Sequence, residues 1–186
     1  MPIQLDEPTI EAPPSVTIAD IGNSIVVALV DTYQIPLTDF TTGLPELYGT
    51  GHPKEGQARH QEVIVGLVVN WDGAQVGRKD ERRDPVAGET VAIYAAKGGL
   101  FEWIQAKKDH RGLHVGDVVR WWLDHEEPPK TKGFNPYKVR KFAIRSPRPD
   151  EAAQTAACEQ AHLERNEPAQ TPIQEPPVFD PAEAPF

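Results

Sequence analysis

One cysteine, one methionine and no long apolar run are what this 186-residue chain offers where many proteins offer more. The single Cys158 excludes an internal disulfide framework. No stretch approaches the ~20 apolar residues that span a bilayer, and the first residues lack the basic-then-apolar pattern of a secretion signal. The expectation is a cytoplasmic protein with no membrane partner. Also missing are a glycine-rich phosphate loop, a nucleophile-elbow serine and a concentrated carboxylate cluster for magnesium. Of the six histidines, His110 and His114 stand four apart, but Gly112 between them opposes the helix that this spacing needs. Cys158 and His162 are spaced alike in an expected tail, and two such ligands do not make a structural zinc site. The sequence therefore predicts no enzyme, no cofactor and no metal.

Acidity is missing from the middle of the chain. The formal net charge is −9, yet residues 1–14 hold Asp6, Glu7 and Glu11 without a base, and residues 151–186 hold seven acids against Arg165. The 136 residues between carry 18 Lys plus Arg and 18 Asp plus Glu, so the acidic total does not argue against a nucleic-acid-binding core. Four prolines in the first 14 residues and six between Pro168 and Pro185, with little apolar material to offset chain entropy, predict disordered ends. Residues 151–165 favour helix but show no apolar stripe, which predicts no more than a transient helix. The expected organisation is an arm over 1–14, a core over 15–149 and an acidic, proline-rich tail over 150–186.

In the core, β-branched runs at 24–30 and 62–69 predict two strands, separated by a glycine- and proline-rich excursion. A third is expected over 89–95, a fourth over 118–123 and a fifth over about 137–144. Between the third and fourth, Leu100, Trp103, Ile104 and Lys107 share one face at helical spacing. Three strands, a helix and two strands match an all-β chain with a five-stranded OB-fold barrel, whose helix between strands three and four plugs one end. An SH3-like barrel or small sandwich supplies the same strands without requiring that helix.

Lys130, Lys132, Lys138, Arg140, Lys141 and Arg145 lie in the most basic stretch, interleaved with Phe134, Tyr137 and Phe142, and no acid occurs between Lys130 and Arg148. A non-specific single-strand binder needs this combination of cations for phosphates and aromatic faces for bases. The competing reading is a lysine-protected edge strand. Alternation in the fourth strand places Val119, Trp121 and Leu123 inward and Arg120 with Trp122 outward, making Trp122 a candidate base platform. Tyr94 is a candidate on the face opposite Val91 and Ile93, and Trp71 in the expected turn Asn70-Trp71-Asp72-Gly73 is another. Arg78, Lys79, Arg82 and Arg83 follow in a loop interrupted by Asp80, Glu81 and Asp84.

The chain finishes Val178-Phe179-Asp180-Pro181-Ala182-Glu183-Ala184-Pro185-Phe186. A terminal ring and α-carboxylate about one residue apart suit a partner with one apolar pocket and one basic group, and Pro185 limits the conformations lost on binding. This tip resembles the acidic Pro-Phe tip of bacterial single-stranded DNA-binding proteins, although only Asp180 and Glu183 lie in its last seven residues and the family's usual first-strand motif is absent. The block from Gly51 to Val65 (GHPKEGQARHQEVIV) is similar to a segment of phage single-stranded DNA-binding proteins. These resemblances imply an OB-fold protein that coats exposed single strands in phage DNA replication, recombination or repair. They also imply recruitment of replication or recombination proteins through Asp180, Glu183, Pro185 and Phe186. The alternative is an interaction or virion-associated β-barrel that binds no DNA; a homo-oligomer is compatible with either.

Overall fold

The computed structural model describes residues 12–166 except 40, 96–97, 130–132 and 134. Residues 1–11 of the expected arm, Lys130, Lys132, Phe134, and residues 167–186 of the expected tail with the tip residues Asp180, Glu183, Pro185 and Phe186 lie outside the described residues. The elements in chain order are β1 (Val16–Thr17), β2 (Ser24–Pro36), β3 (His60–Asp72), β4 (Gln75–Val76), β5 (Thr90–Ala95), α1 (Gly98–His110), β6 (Val118–Glu127), β7 (Tyr137–Arg145), a 3-10 turn (Pro149–Glu151) and α2 (Ala152–Asn166). None of the described helices is long and apolar enough to cross a membrane.

The chain is β-rich, as expected. Its five long strands form one sheet in the order β5-β3-β2-β6-β7, with every neighbouring pair antiparallel, and β1 and β4 make a second, two-stranded sheet. The β-branched runs account for these strands, because residues branched at Cβ pack well on a pleated surface. Two strands reach well beyond their apolar runs: β2 continues to Pro36 and β3 to Asp72. Two register shifts between β2 and β3, at Val26/Val27 and Leu29/Asp31, twist the pair. Near them the strands approach so closely that a Cβ on Gly66 would lie 2.7 Å from Val27 Cγ2 and 2.8 Å from the Ala28 carbonyl oxygen. Glycine is required there by space.

The sheet buries both faces. On the inner face, Ile25, Val27, Ile64, Val68, Val91, Ile93, Val119, Trp121, Leu123 and Phe142 form the main core with β1, β4 and α1. The short strands close this face through Val16 and Val76, with Ile18 and Ala74 beside them. The helix α1 supplies fully buried Trp103, whose ring centroid lies 5.2 Å from that of Phe142. Lys107 of α1 places its Nζ 2.7 and 2.8 Å from the two carboxylate oxygens of buried Glu62. The charge pair is thereby satisfied, as a buried carboxylate demands. Ile104, expected on the core face, is exposed, and Ala106 is buried in its stead.

The outer face corrects the expected tail. Residues 152–166 form α2, which packs on β2 and buries Cys158 among Ala28, Val30, Val63, Val65 and Ala92. The Cys158 thiol points to the Ala28 carbonyl at 3.6 Å. His162 donates through Nδ1 to the Val30 carbonyl at 2.8 Å. Arg145 at the end of β7 forms a two-pronged ion pair with Glu151 at 2.6 and 2.7 Å, fixing the start of the helix. The sequence shows no broad apolar stripe because the contact surface is built from alanine, cysteine and histidine. Small side chains let a helix lie close to a sheet without large hydrophobes.

Candidate nucleic-acid interface

The outer face divides at β6. Ser24 pairs with Trp122, Val26 with Arg120 and Ala28 with Val118, so Arg120 and Trp122 share the face on which α2 lies, beyond the part that α2 contacts. Across the next ladder Trp122 pairs with Lys141 and Arg120 with Ala143. Arg120, Trp122 and Lys141 therefore form one group, as their outward placement in the sequence implied for the first two.

Its local chemistry centres on Asp124. The Trp122 Nε1–H donates to Asp124 Oδ1 at 3.1 Å, His125 Nδ1 lies 2.9 Å from Oδ2, and Lys141 Nζ lies 3.4 Å from Oδ2. The His125 contact, followed by the Trp122 hydrogen bond, holds the Asp124 carboxyl down to about 2. It is ionised throughout the physiological range. The Arg120 guanidinium stands 5.3 Å from the Trp122 ring centroid, close enough for a cation–π contact. Arg120 is exposed and, among the described residues, has no carboxylate within ion-pair distance. Trp122 is half-buried, with its edge held by Asp124 and its ring beside a cation.

A second group lines a cavity of about 350 Å³ between the edge strands β5 and β7, where Tyr94, Tyr137, Lys138 and Arg140 meet Val16, Thr17 and Ile18. Tyr137 is exposed. Lys138 donates to the Ala19 carbonyl and lies 3.6 Å from Glu126. Arg140 is half-buried 6.0 Å from the Trp121 ring centroid, and burial lowers its guanidinium pKa. Tyr94 also borders a larger cavity of about 980 Å³ with Arg78, Arg83 and Arg165. Burial, then the neighbouring Tyr33, raises the Tyr94 phenol pKa.

Three expected contacts lie elsewhere. Phe142 is buried, because it pairs across the ladder with inward Trp121 and stacks on that indole at 6.0 Å between centroids and 19° between planes. It belongs to the core. Trp71 is in β3, not a turn: it pairs with Ile25 on the inner side and packs against the main core half-buried. Arg145 is committed to Glu151. One group went unforeseen: in the excursion between β2 and β3, Tyr48 and His52 stack with centroids 4.3 Å apart and planes at 10°, and Arg59 lies 5.9 Å from the Tyr48 centroid. The glycine and proline residues across 43–56 signalled a long excursion, and the 51–65 block contains His52 and Arg59, but neither signal pointed to the ring stack.

Comparisons with protein-family models, with curated proteins and with solved structures find no match to this chain.

Proposed function

We propose that this chain binds single-stranded DNA without sequence preference, through the outer β6–β7 face. The observation carrying this reading is the Arg120–Trp122–Lys141 group. An edge-fixed indole offers a stacking surface at low ordering cost, and the neighbouring cations can meet phosphates. The strand order β5-β3-β2-β6-β7 supports an OB-type arrangement, because a helix-linked five-stranded barrel of that family is partly open. On this reading β5 and β7 are the edges flanking the seam, and α1 fills its end. The role is to coat and protect exposed strands during DNA replication, recombination or repair, with phage DNA the substrate suggested by the 51–65 resemblance. No catalytic step is part of it.

The acidic Pro-Phe segment has a separate part in this proposal, recruitment of a replication or recombination protein. Deleting Phe186 alone is expected to release that partner while leaving DNA affinity unchanged. Retention of every partner would remove the recruiting role.

A second reading is favoured by a specific observation: Lys138, Lys141 and Arg145 each have a carboxylate partner in Glu126, Asp124 and Glu151. A basic strand neutralised by its own acids suits an interaction or virion-associated β-domain that binds no DNA. Tryptophan fluorescence during titration with oligo-dT, and with duplex of equal length at matched salt, separates the readings. Quenching by the single strand at lower concentration than by duplex is the expected result, because stacking needs unpaired bases. Equal affinity for both forms would remove the stacking mechanism, and no response to either would favour the second reading.

A further inference from the structure

The turn after α1 assembles three metal-ligating side chains. At the helix end, the Gly112 amide donates to the Lys107 carbonyl at 3.2 Å and the Arg111 amide to the Lys108 carbonyl at 3.1 Å, with Arg111 left-handed at φ 63° and Gly112 at φ 123°. This is the hydrogen-bond pattern of a Schellman stop. The helix that Gly112 opposes does end at His110, and the reversal, rather than a further helical turn, brings His114 back. One ligand atom each from His110, His114 and Asp117 then lies within 4.8 Å of the other two.

The two separations to Asp117 suit a common ion, and the ligand nitrogens of the two imidazoles lie within 4.8 Å of each other. His110 Nε2 is 3.1 Å from Asp117 Oδ2, and His114 Nδ1 is 3.6 Å from that oxygen. Two ligand atoms each ~2.0–2.1 Å from zinc at a tetrahedral angle stand about 3.4 Å apart, between these two values. The carboxylate is also held in place, since its Oδ2 accepts the His114 backbone N–H at 2.8 Å. Exposure rises in steps: the Asp117 side chain is 2 %, His110 14 % and His114 79 % exposed. The cluster is anchored in the protein and open to solvent on one side.

We propose that His110, His114 and Asp117 bind a divalent transition metal, zinc foremost, with water in the fourth position. Two imidazoles and one carboxylate suit zinc, whereas calcium and magnesium prefer all-oxygen sites. Three protein ligands with an open side leave room for a water. The ion would tie the end of α1 to the start of β6. There the Leu29 amide donates to the Asp117 carbonyl at 2.7 Å and the Gly116 amide to the Leu29 carbonyl at 2.8 Å. Occupancy therefore links the helix bearing Trp103 to the central strand of the sheet and raises the melting temperature with free metal concentration. This holds whether or not the chain binds DNA.

The test uses the full chain, stripped with a chelator and titrated with zinc chloride by calorimetry, and with cobalt(II) by visible absorption. Expected are uptake of one ion per chain, the intense visible absorption of four-coordinate cobalt and a rise in melting temperature. His114→Ala removes a largely exposed ring, so the fold is kept, and should weaken uptake by about 100-fold or more. His60→Ala, an exposed ring outside the cluster, should leave uptake intact. Uptake by the unsubstituted chain no tighter than by His114→Ala, or tight uptake surviving that substitution, would overturn the proposal and leave Asp117 as the cap of a turn.

Discussion

On the inner face of the β6–β7 ladder Trp121 lies flat against Phe142 and is almost wholly buried. On the outer face, one residue along the chain, Trp122 is half-buried, tied by its edge to Asp124 and accompanied by Arg120. The two positions hold the same residue in the same strand, each with an aromatic or cationic neighbour, and differ only in parity. The inner indole meets apolar surface on several sides, and losing it would leave a void. The outer indole meets a carboxylate, a guanidinium and solvent, and losing it would remove a surface for something else to touch. Strand parity, more than residue type, decides which tryptophan stabilises the domain and which is available to a ligand.

The sharpest way to break that contrast is Trp121→Ala. It should cost ~3–5 kcal/mol of stability in urea unfolding, as removal of a buried tryptophan does elsewhere. A loss comparable to that of Trp122→Ala would dissolve the distinction. Trp122→Ala itself should weaken oligo-dT binding by ~1–3 kcal/mol while leaving the unfolding midpoint nearly in place. Unchanged affinity would move the stacking site elsewhere, with the Tyr48–His52 pair the next surface to test.

A smaller effect is expected from Lys141→Ala. If Lys141 leaves Asp124 for a phosphate, the slope of log affinity against log salt should become shallower by about 1. An unaltered slope means that the lysine stays with its carboxylate. The smallest effect concerns the border between the covered and uncovered parts of the outer face. Hydrogen bonding from Arg145 first, then from the Arg148 amide, depresses the Glu151 carboxyl from 4.5 to about 2. Since the folded value lies below the unfolded one, its contribution is complete above about 4.5 and is lost as the pH falls from there through 2. Amide exchange in α2 should accelerate relative to that in β2 over this window, and Glu151→Gln should flatten the difference. Parallel loss of protection in both elements would show that α2 does not open separately.

The long strands and α1 were legible because their signals are local: β-branched runs for β2 and β3, and spaced apolar residues for α1. The two-residue strands β1 and β4 were not, since too few residues carry a periodicity. The helix α2 was legible as helix propensity but not as a packed element. Its docking depends on Cys158 and His162 meeting carbonyls of β2, over 100 residues earlier in the chain. In the candidate site, alternation assigned Trp121 and Trp122 correctly to their faces. It was not carried across to β7, where cross-strand pairing places Phe142 beside Trp121. The pairing of basic β7 side chains with Asp124, Glu126 and Glu151 was also hidden, because those acids flank the basic stretch in sequence and meet it only after the strands align.

The middle position of β2 has a consequence for how the chain reaches this state. Its hydrogen-bonding edges are satisfied by β3 on one side and by β6 on the other, the latter pairing Ser24 with Trp122. One outer surface of β2 waits for α2, later still in the sequence. A nucleus confined to the first half of the chain would leave a β2 edge and both hydrophobic faces incomplete. Loop closure must therefore precede much of the energetic return, which places folding in the slow, milliseconds-to-seconds regime of domains dominated by non-local pairing. During synthesis, the apolar run of β2 emerges well before the strand and helix that cover it, so the interval before β6 and α2 arrive is when this chain is most exposed to aggregation.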